Sequence, residues 1–227
     1  MGKNTTQTSY YKQFYDKVGY KGFSGWLLSF THKKLEVLPR NYKKLQEIRY
    51  NILEVGGGSG EHIPFVKMAY DEYTLVDINP TILPKNHLDK KIKFKLADVE
   101  KLPFRNRVFD RVICTCLLHH LNNIENALLE IKRVTKIGGL ISIYISCDPG
   151  IINRTLRKLF IIPKARKLGF QDYELFIARE HKGHFSAINT LIHHIFYGQK
   201  IKVRYYPIGI RSWNLNTFII LQIQIVS

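Results

Sequence analysis

Glycines at positions 56, 57, 58 and 60 follow directly on a short apolar run, Asn51 to Val55. Glycine permits a tight turn and lets a ligand come close to the backbone. A helix following Gly60 would present unpaired N–H groups at its start. Two carboxylates stand at matching places downstream. Asp77 ends a second apolar run, 17 residues past Gly60. There it can accept hydrogen bonds from both hydroxyls of a ribose. Asp98, in Ala97-Asp98-Val99, follows a third run and could accept from the amino group of an adenine, with Val99 packing on the ring. Either aspartate alone would serve as an ordinary cap or turn residue. Together with the glycine turn they mark the ends of three successive strands, which points to a nucleoside-bearing ligand.

The spacing Gly56-x-Gly58-x-Gly60 lacks the last glycine of the dinucleotide fingerprint, because position 61 is Glu. An acid there would face the pyrophosphate of a nicotinamide cofactor. No Lys-Ser/Thr pair follows the glycines, which excludes a P-loop.

A second group of residues could move protons. His119 and His120 follow a fourth apolar run, and His181 and His184 lie in Glu180-His181-Lys182-Gly183-His184. Histidine suits general-base work near neutral pH. His120, His181 and His184 are the catalytic candidates, although the 119–120 pair also fits simple packing. Glu180, His181 and His184 offer three potential ligands within five residues. That spacing fixes no coordination geometry, and no metal is expected. His193 and His194 read as surface. The three cysteines, Cys114, Cys116 and Cys147, show no framework spacing and read as reduced, buried thiols. Cys114 and Cys116, two apart, would share one face of a strand.

These residues need elements to position them. Asn51–Val55, Thr74–Asp77, Lys91–Leu96, Arg111–Thr115 and Leu140–Ser146 read as strands, with Ile201–Tyr206 and Phe218–Val226 as two later ones. A helix is expected after Asn122, its cap, with Glu125 three residues on. Ile124, Ala127, Leu128, Ile131 and Val134 fall at helical spacing, and Gly138-Gly139 would stop it. Strands alternating with helices imply a parallel α/β sheet. Residues 148–199 form a basic insertion with Arg154, Arg157, Lys158, Lys164, Arg166 and Lys167. It would sit above the strand ends and face the substrate. A helix with Ile188, Leu191, Ile192 and Ile195 on one face is expected after Ser186. Residues 1–49 read as a helical, aromatic-rich lid with Tyr10, Tyr11, Phe14 and Tyr15, broken by a glycine-punctuated loop at 19–25.

In series these stretches resemble the class I S-adenosylmethionine-dependent methyltransferases with a type 11 methyltransferase domain. The matching stretches begin with Leu53 to Gly60, Leu75 to Ile78 and Ala97 to Phe104. They continue with Phe109 to Val112, Leu118 to Leu121 and Leu129 to Gly139, the last departing at Thr135 and Ile137. The resemblance implies a Rossmann-like, seven-stranded, mostly parallel sheet of order 3-2-1-4-5-7-6, with strand 7 antiparallel and helices on both faces. It implies S-adenosylmethionine as cofactor and S-adenosylhomocysteine as product. Glu54, Gly56, Gly58 and Gly60 would line the methionine end, with Thr115 and Cys116 near it. Asp77 and Ile78 would hold ribose and adenine, and Asp98 and Val99 the adenine. The flanks at 20–26, 60–65, 147–150 and 180–184 resemble bacterial methyltransferases associated with surface-polysaccharide synthesis.

The chain of 227 residues suits one domain, spanning 50–227 behind the N-terminal lid. It has 35 Lys and Arg against 18 acids, a formal net charge of +17. Such a field favours acidic partners. The expected acceptor is a small molecule or glycan, phosphorylated or lipid-linked forms included. Peripheral contact with a membrane also fits, whereas nucleic acid is less favoured because no basic tail or appended module is present. With no secretory h-region at Met1 to Tyr15, a cytoplasmic location, extending to the inner membrane surface, is expected.

Overall fold

A computed structural model describes residues 22–39, 49–79 and 89–226. Within them seven strands form one sheet: β1 (Tyr50–Val55), β2 (Tyr70–Asp77), β3 (Ile92–Leu96), β4 (Phe109–Cys114), β5 (Thr135–Ser146), β6 (Lys200–Tyr206) and β7 (Phe218–Gln224). Their order is β3-β2-β1-β4-β5-β7-β6. The strands run parallel from β3 to β5, and β7 is antiparallel to both its neighbours. This is the topology that the resemblance implies. β1 and β4 are buried on both faces, with Ile52, Leu53, Val55, Val112 and Ile113 inaccessible to solvent, so both are largely apolar, interrupted by buried Glu54 and Arg111.

The helices are α1 (Phe23–Leu35), α2 (Ile124–Val134), α3 (Ile151–Leu156), α4 (Ile162–Lys167), α5 (Tyr173–Glu180) and α6 (Phe185–Ile195); a π-type turn over Arg157–Ile161 joins α3 to α4. On one face of the sheet, Leu128, Ile131 and Val134 of α2 and Ile188 and Ile192 of α6 pack with Val55, Val112 and Ile143. On the other, Leu35 of α1 and Leu38 beyond it pack with Ile52, Leu75, Ile113 and Ile220. Among the residues expected to form a lid, 1–21 and 40–48 lie outside the described residues, including Tyr10, Tyr11, Phe14 and Tyr15. Residues 22–39 form α1 and its exit. The loop expected across 19–25 gives way at Phe23, where α1 begins and runs through Gly25.

Several local expectations are corrected. No α-helix follows Gly60. The chain makes a 3₁₀ turn, Ile63–Phe65, with Pro64 at its start, and reaches β2 at Tyr70. The short connection leaves little room for a helix, and α1 with its exit covers the sheet face that such a helix would bury. The cap of α2 is Asn123 rather than Asn122: its side chain accepts from Asn126 N at 3.0 Å. Gly138-Gly139 does not stop α2, which ends at Val134 and passes straight into β5. Thr135 Oγ1 donates to Ile131 O at 2.6 Å and terminates the helix, while Gly138 N pairs with Ile225 O. Cys114 closes β4, so Cys116 lies beyond the strand and does not share its face.

Candidate active site

The glycine turn is held from both sides. Gly56 N donates to Val76 O at 2.8 Å, and Gly58 N donates to Asp77 Oδ2 at 3.1 Å. Asp77 Oδ1 accepts from Asn79 N at 2.8 Å, so its carboxylate is fixed by two backbone donors. A carboxylate offers about four acceptor sites, which leaves capacity for two hydroxyls. Gly56 has φ +65°, a conformation that suits glycine, and a side chain there would strike Leu117.

A cavity opens over the ends of β1, β2 and β3. Its walls include Gly56, Asp77, Ile78, Asp98, Val99 and His120, with Glu100 and Asn122 at the polar end. Asp98 accepts from Glu100 N at 2.9 Å and caps the short turn that carries Val99. Ile78 is 64% exposed on the cavity wall, an unusual place for a large apolar side chain, and a flat ring could cover it. In a chain of net charge +17, the described walls carry three acids, Asp77, Asp98 and Glu100, and no Lys or Arg. A cationic ligand suits these walls, and the pyrophosphate of a dinucleotide does not.

Among the residues expected at the cofactor, Gly56, Asp77, Ile78, Asp98 and Val99 thus share one cavity. Glu54, Gly58, Gly60, Thr115 and Cys116 stand around the turn instead of on those walls. Glu54 is buried beneath it. Tyr73 Oη donates to Glu54 Oε2 at 2.6 Å, and Thr115 Oγ1 to Oε1 at 3.3 Å. Burial pushes the Glu54 carboxyl above its ordinary value. Cys116 follows with φ +49°, an uncommon conformation outside glycine. Burial pushes its thiol up to about 12, so it stays protonated.

Beside the cavity stands a cluster of histidines. The short turn Leu118–His120 after β4 carries His119 and His120, and α5 ends at Glu180 just before His181. Lys182 N and Gly183 N donate to His119 O at 2.8 and 3.1 Å, pinning the two loops together. Ring centroids lie 4.2 Å apart for His119 and His120, 4.4 Å for His119 and His181, and 5.0 Å for His120 and His181. His120 Nδ1 donates to Glu180 O at 3.1 Å. Asp148 Oδ2 lies 3.6 Å from His181 Nδ1 and is paired with Arg157. Burial favours the neutral acid of Asp148, but His181 and Arg157 outweigh it and hold the carboxyl below its ordinary value. Burial first, then the neighbouring rings, keeps His119 well below the usual histidine range. His184 is exposed at the start of α6, apart from this cluster, and His193 and His194 are also exposed.

Sequence reading missed one group. Arg111, inside a strand that reads as apolar, is wholly buried. It pairs with Glu36 at 2.6 Å and donates to Ser142 Oγ at 3.2 Å. Glu36 also accepts from His62 Nε2 and from Lys67 N, both at 3.0 Å. With Nε2 of His62 donating, its Nδ1 accepts from Nδ1 of His32, 3.0 Å away. The residues just past the glycine turn are therefore fastened to the exit of α1.

The family comparison agrees with the geometry. The sequence model of the methyltransferase domain, type 11, matches residues 53–143. An uncharacterised protein of Methanocaldococcus jannaschii is 30% identical over 172 residues, 72% of this chain and 72% of that one. The chain belongs to the class I S-adenosylmethionine-dependent methyltransferases. This methyltransferase is 30% identical over 139 residues to the ubiquinone/menaquinone biosynthesis C-methyltransferase of Coxiella burnetii, covering 54% of this chain and 55% of that one. It is 32% identical over 106 residues, 41% of its length, to a hybrid PKS-NRPS synthetase of Neonectria, of which it spans only 3%. A solved methyltransferase structure from Methanococcus maripaludis shares its fold, with TM-score 0.60 and 16% identity over 100% of this chain and 98% of that one. No helix among the described residues is long and apolar enough to cross a membrane.

Proposed function

We propose that this methyltransferase transfers the methyl group of S-adenosylmethionine to a hydroxyl of a small acceptor, with a sugar of surface-glycan synthesis as the leading candidate. The observation that carries the cofactor end is the acid-walled cavity in a strongly basic chain. S-adenosylmethionine is cationic at its sulfonium and its ammonium, and supplies an electrophilic methyl group when bound. Asp77 would take the ribose hydroxyls. Asp98 would take the adenine amine, with Ile78 and Val99 against the ring. Gly56, Gly58 and Gly60 would face the methionine portion, with Glu54, Thr115 and Cys116 shaping the turn from below.

The histidine cluster supports a hydroxyl acceptor, because a hydroxyl must lose its proton to attack. His120 belongs both to the cavity wall and to the cluster, so the two sites adjoin. The hydroxyl proton would be drawn off at the cluster, where Asp148 stands behind His181. The freed oxygen pair would bond the methyl carbon while the carbon–sulfur bond breaks and its pair stays on sulfur. His184, exposed at the mouth of the insertion, would meet the acceptor and not the reacting proton. The insertion carries six basic residues between 154 and 167, which suits a phosphorylated or lipid-linked sugar at a membrane face. A quinone or lipid acceptor is the second reading, favoured by the likeness to the Coxiella C-methyltransferase.

Calorimetric titration with S-adenosylhomocysteine, using NAD as control, tests the cofactor end. Micromolar binding that is lost in Asp77→Ala, with no response to NAD, is expected; binding of NAD alone would overturn it. Methyl transfer from labelled cofactor to nucleotide sugars, quinones and RNA then separates the acceptors.

A further inference from the structure

We propose that His119, His120 and His181 form a binding site for a transition-metal ion such as Zn²⁺, at the wall between the cofactor cavity and the insertion. One ring nitrogen from each lies within 4.8 Å of the other two. With metal–nitrogen bonds of about 2.0–2.1 Å, imidazoles sharing an ion at right-angled to tetrahedral spacing hold their centroids roughly 4.5–5.3 Å apart. The observed separations of 4.2, 4.4 and 5.0 Å approach that arrangement. The nitrogens need only draw in to roughly 3.3 Å of one another.

The surroundings are those that ligating histidines require. A histidine that binds through one nitrogen commonly offers its other N–H to a carbonyl or carboxylate, which fixes tautomer and orientation. His120 Nδ1 has the carbonyl of Glu180, and His181 Nδ1 has the carboxylate of Asp148. The hydrogen bond of His120 assigns Nε2 as its ligating nitrogen, and the Asp148 carboxylate, 3.6 Å from Nδ1 of His181, favours the same choice there. The loops bearing the ligands are stapled by the two bonds to His119 O. Asp148 adds an independent sign: its Oδ1 is buried and has no hydrogen-bond partner. A turn of the carboxylate would bring it closer onto His181 Nδ1–H, the outer contact that ligation through Nε2 calls for. Three neutral nitrogens with one open position is a donor set for Zn²⁺, Co²⁺ or Ni²⁺ rather than Mg²⁺ or Ca²⁺.

This inference deepens the proposed function and rests on it only for what the ion would face. An ion there would acidify an acceptor hydroxyl directly, and the released proton would pass to solvent water. The cluster would then act on the proton through the ion and not by accepting it.

The test begins with protein stripped by a chelator and titrated with ZnCl₂, with Co²⁺ absorbance as a spectroscopic readout. One Zn²⁺ per chain at micromolar affinity or tighter is expected, together with visible Co²⁺ bands of a nitrogen-ligated site. His120→Gln and His181→Gln should each weaken Zn²⁺ by about tenfold or more. A His193→Gln/His194→Gln variant should bind as the wild type does. A cooperative thermal melt close to that of the wild type shows that each variant is folded. Only millimolar Zn²⁺ binding, or loss confined to the His193/His194 variant, would overturn the proposal. The two readings fail separately. Methyl transfer to a hydroxyl that persists in chelated enzyme removes the ion's part in the transfer alone, and tight Zn²⁺ binding without any hydroxyl acceptor removes the acceptor reading alone.

Discussion

Tyr73 and Glu54 form a buried pair whose only purpose visible in the fold is to support the glycine turn. The phenol holds the carboxylate at 2.6 Å, and both side chains are inaccessible to solvent or nearly so. Replacing Tyr73 by Phe removes the donor and leaves Glu54 Oε2 buried without it. The expected loss is about 1–3 kcal/mol of stability, read from denaturant unfolding. An unchanged unfolding midpoint would show that another donor satisfies the carboxylate. At this scale the sequence was informative wherever function follows from local order. Asp77 and Asp98 stand where strands end, and a strand end is visible in a linear pattern. The histidine cluster was not legible in the same way. His181 is 61 residues from His120, and only the folded insertion brings them together. His184, equally conspicuous in the chain, is exposed at the start of α6.

The element most altered from expectation is the missing helix after Gly60. In its place α1 and the residues after it pack on the sheet, and the ion pair between Glu36 and Arg111 crosses the interface. Both side chains are fully enclosed. Removing one partner of such a pair strands the other charge, which commonly costs about 3–5 kcal/mol. Arg111→Met is therefore expected to destabilise strongly. The double variant Arg111→Met/Glu36→Leu should recover part of the loss, leaving His62 Nε2 and Lys67 N without their acceptor. A double variant no more stable than Arg111→Met would refute the pairing energetics, and thermal melts decide it. Sequence pattern could not show this pair. Arg111 sits in a run of strand-forming apolar residues, and its partner lies 75 positions away. The sheet order, by contrast, followed from the family resemblance; pattern alone shows where strands lie, and β3, at the sheet edge, alternates its apolar residues with exposed lysines.

For the molecule as a whole, the buried network sets a response to acid. Burial, and secondarily the His62 ring, lower His32 from 6.5 to about 3, with Glu36 offsetting part of the effect. Below about pH 6.5 the unfolded chain takes up a proton that the folded chain refuses. Stability is therefore complete above that pH and falls as the pH drops toward 3, by at most about 1.4 kcal/mol per pH unit. Burial would raise Glu36, but Arg111 and His62 hold it below its ordinary 4.5, so its own loss begins only in stronger acid. His32→Gln should lessen the fall in melting temperature between pH 6.5 and 5, with buried His119 accounting for part of the decline that remains. Parallel decline of both proteins would remove His32 as the cause.

The strand order has one more consequence, for the making of the sheet. Among the described residues β6 pairs with β7 alone, and β7 pairs with both β5 and β6. During synthesis β6 emerges before the only strand that can hold it. Until then β5 presents a long open edge rich in isoleucine, a template for pairing with another copy. β6 and β7 lie close enough in sequence to zip first as a hairpin, which then docks on β5 in a single event. The time the nascent chain spends before that docking is when edge-to-edge aggregation competes with folding.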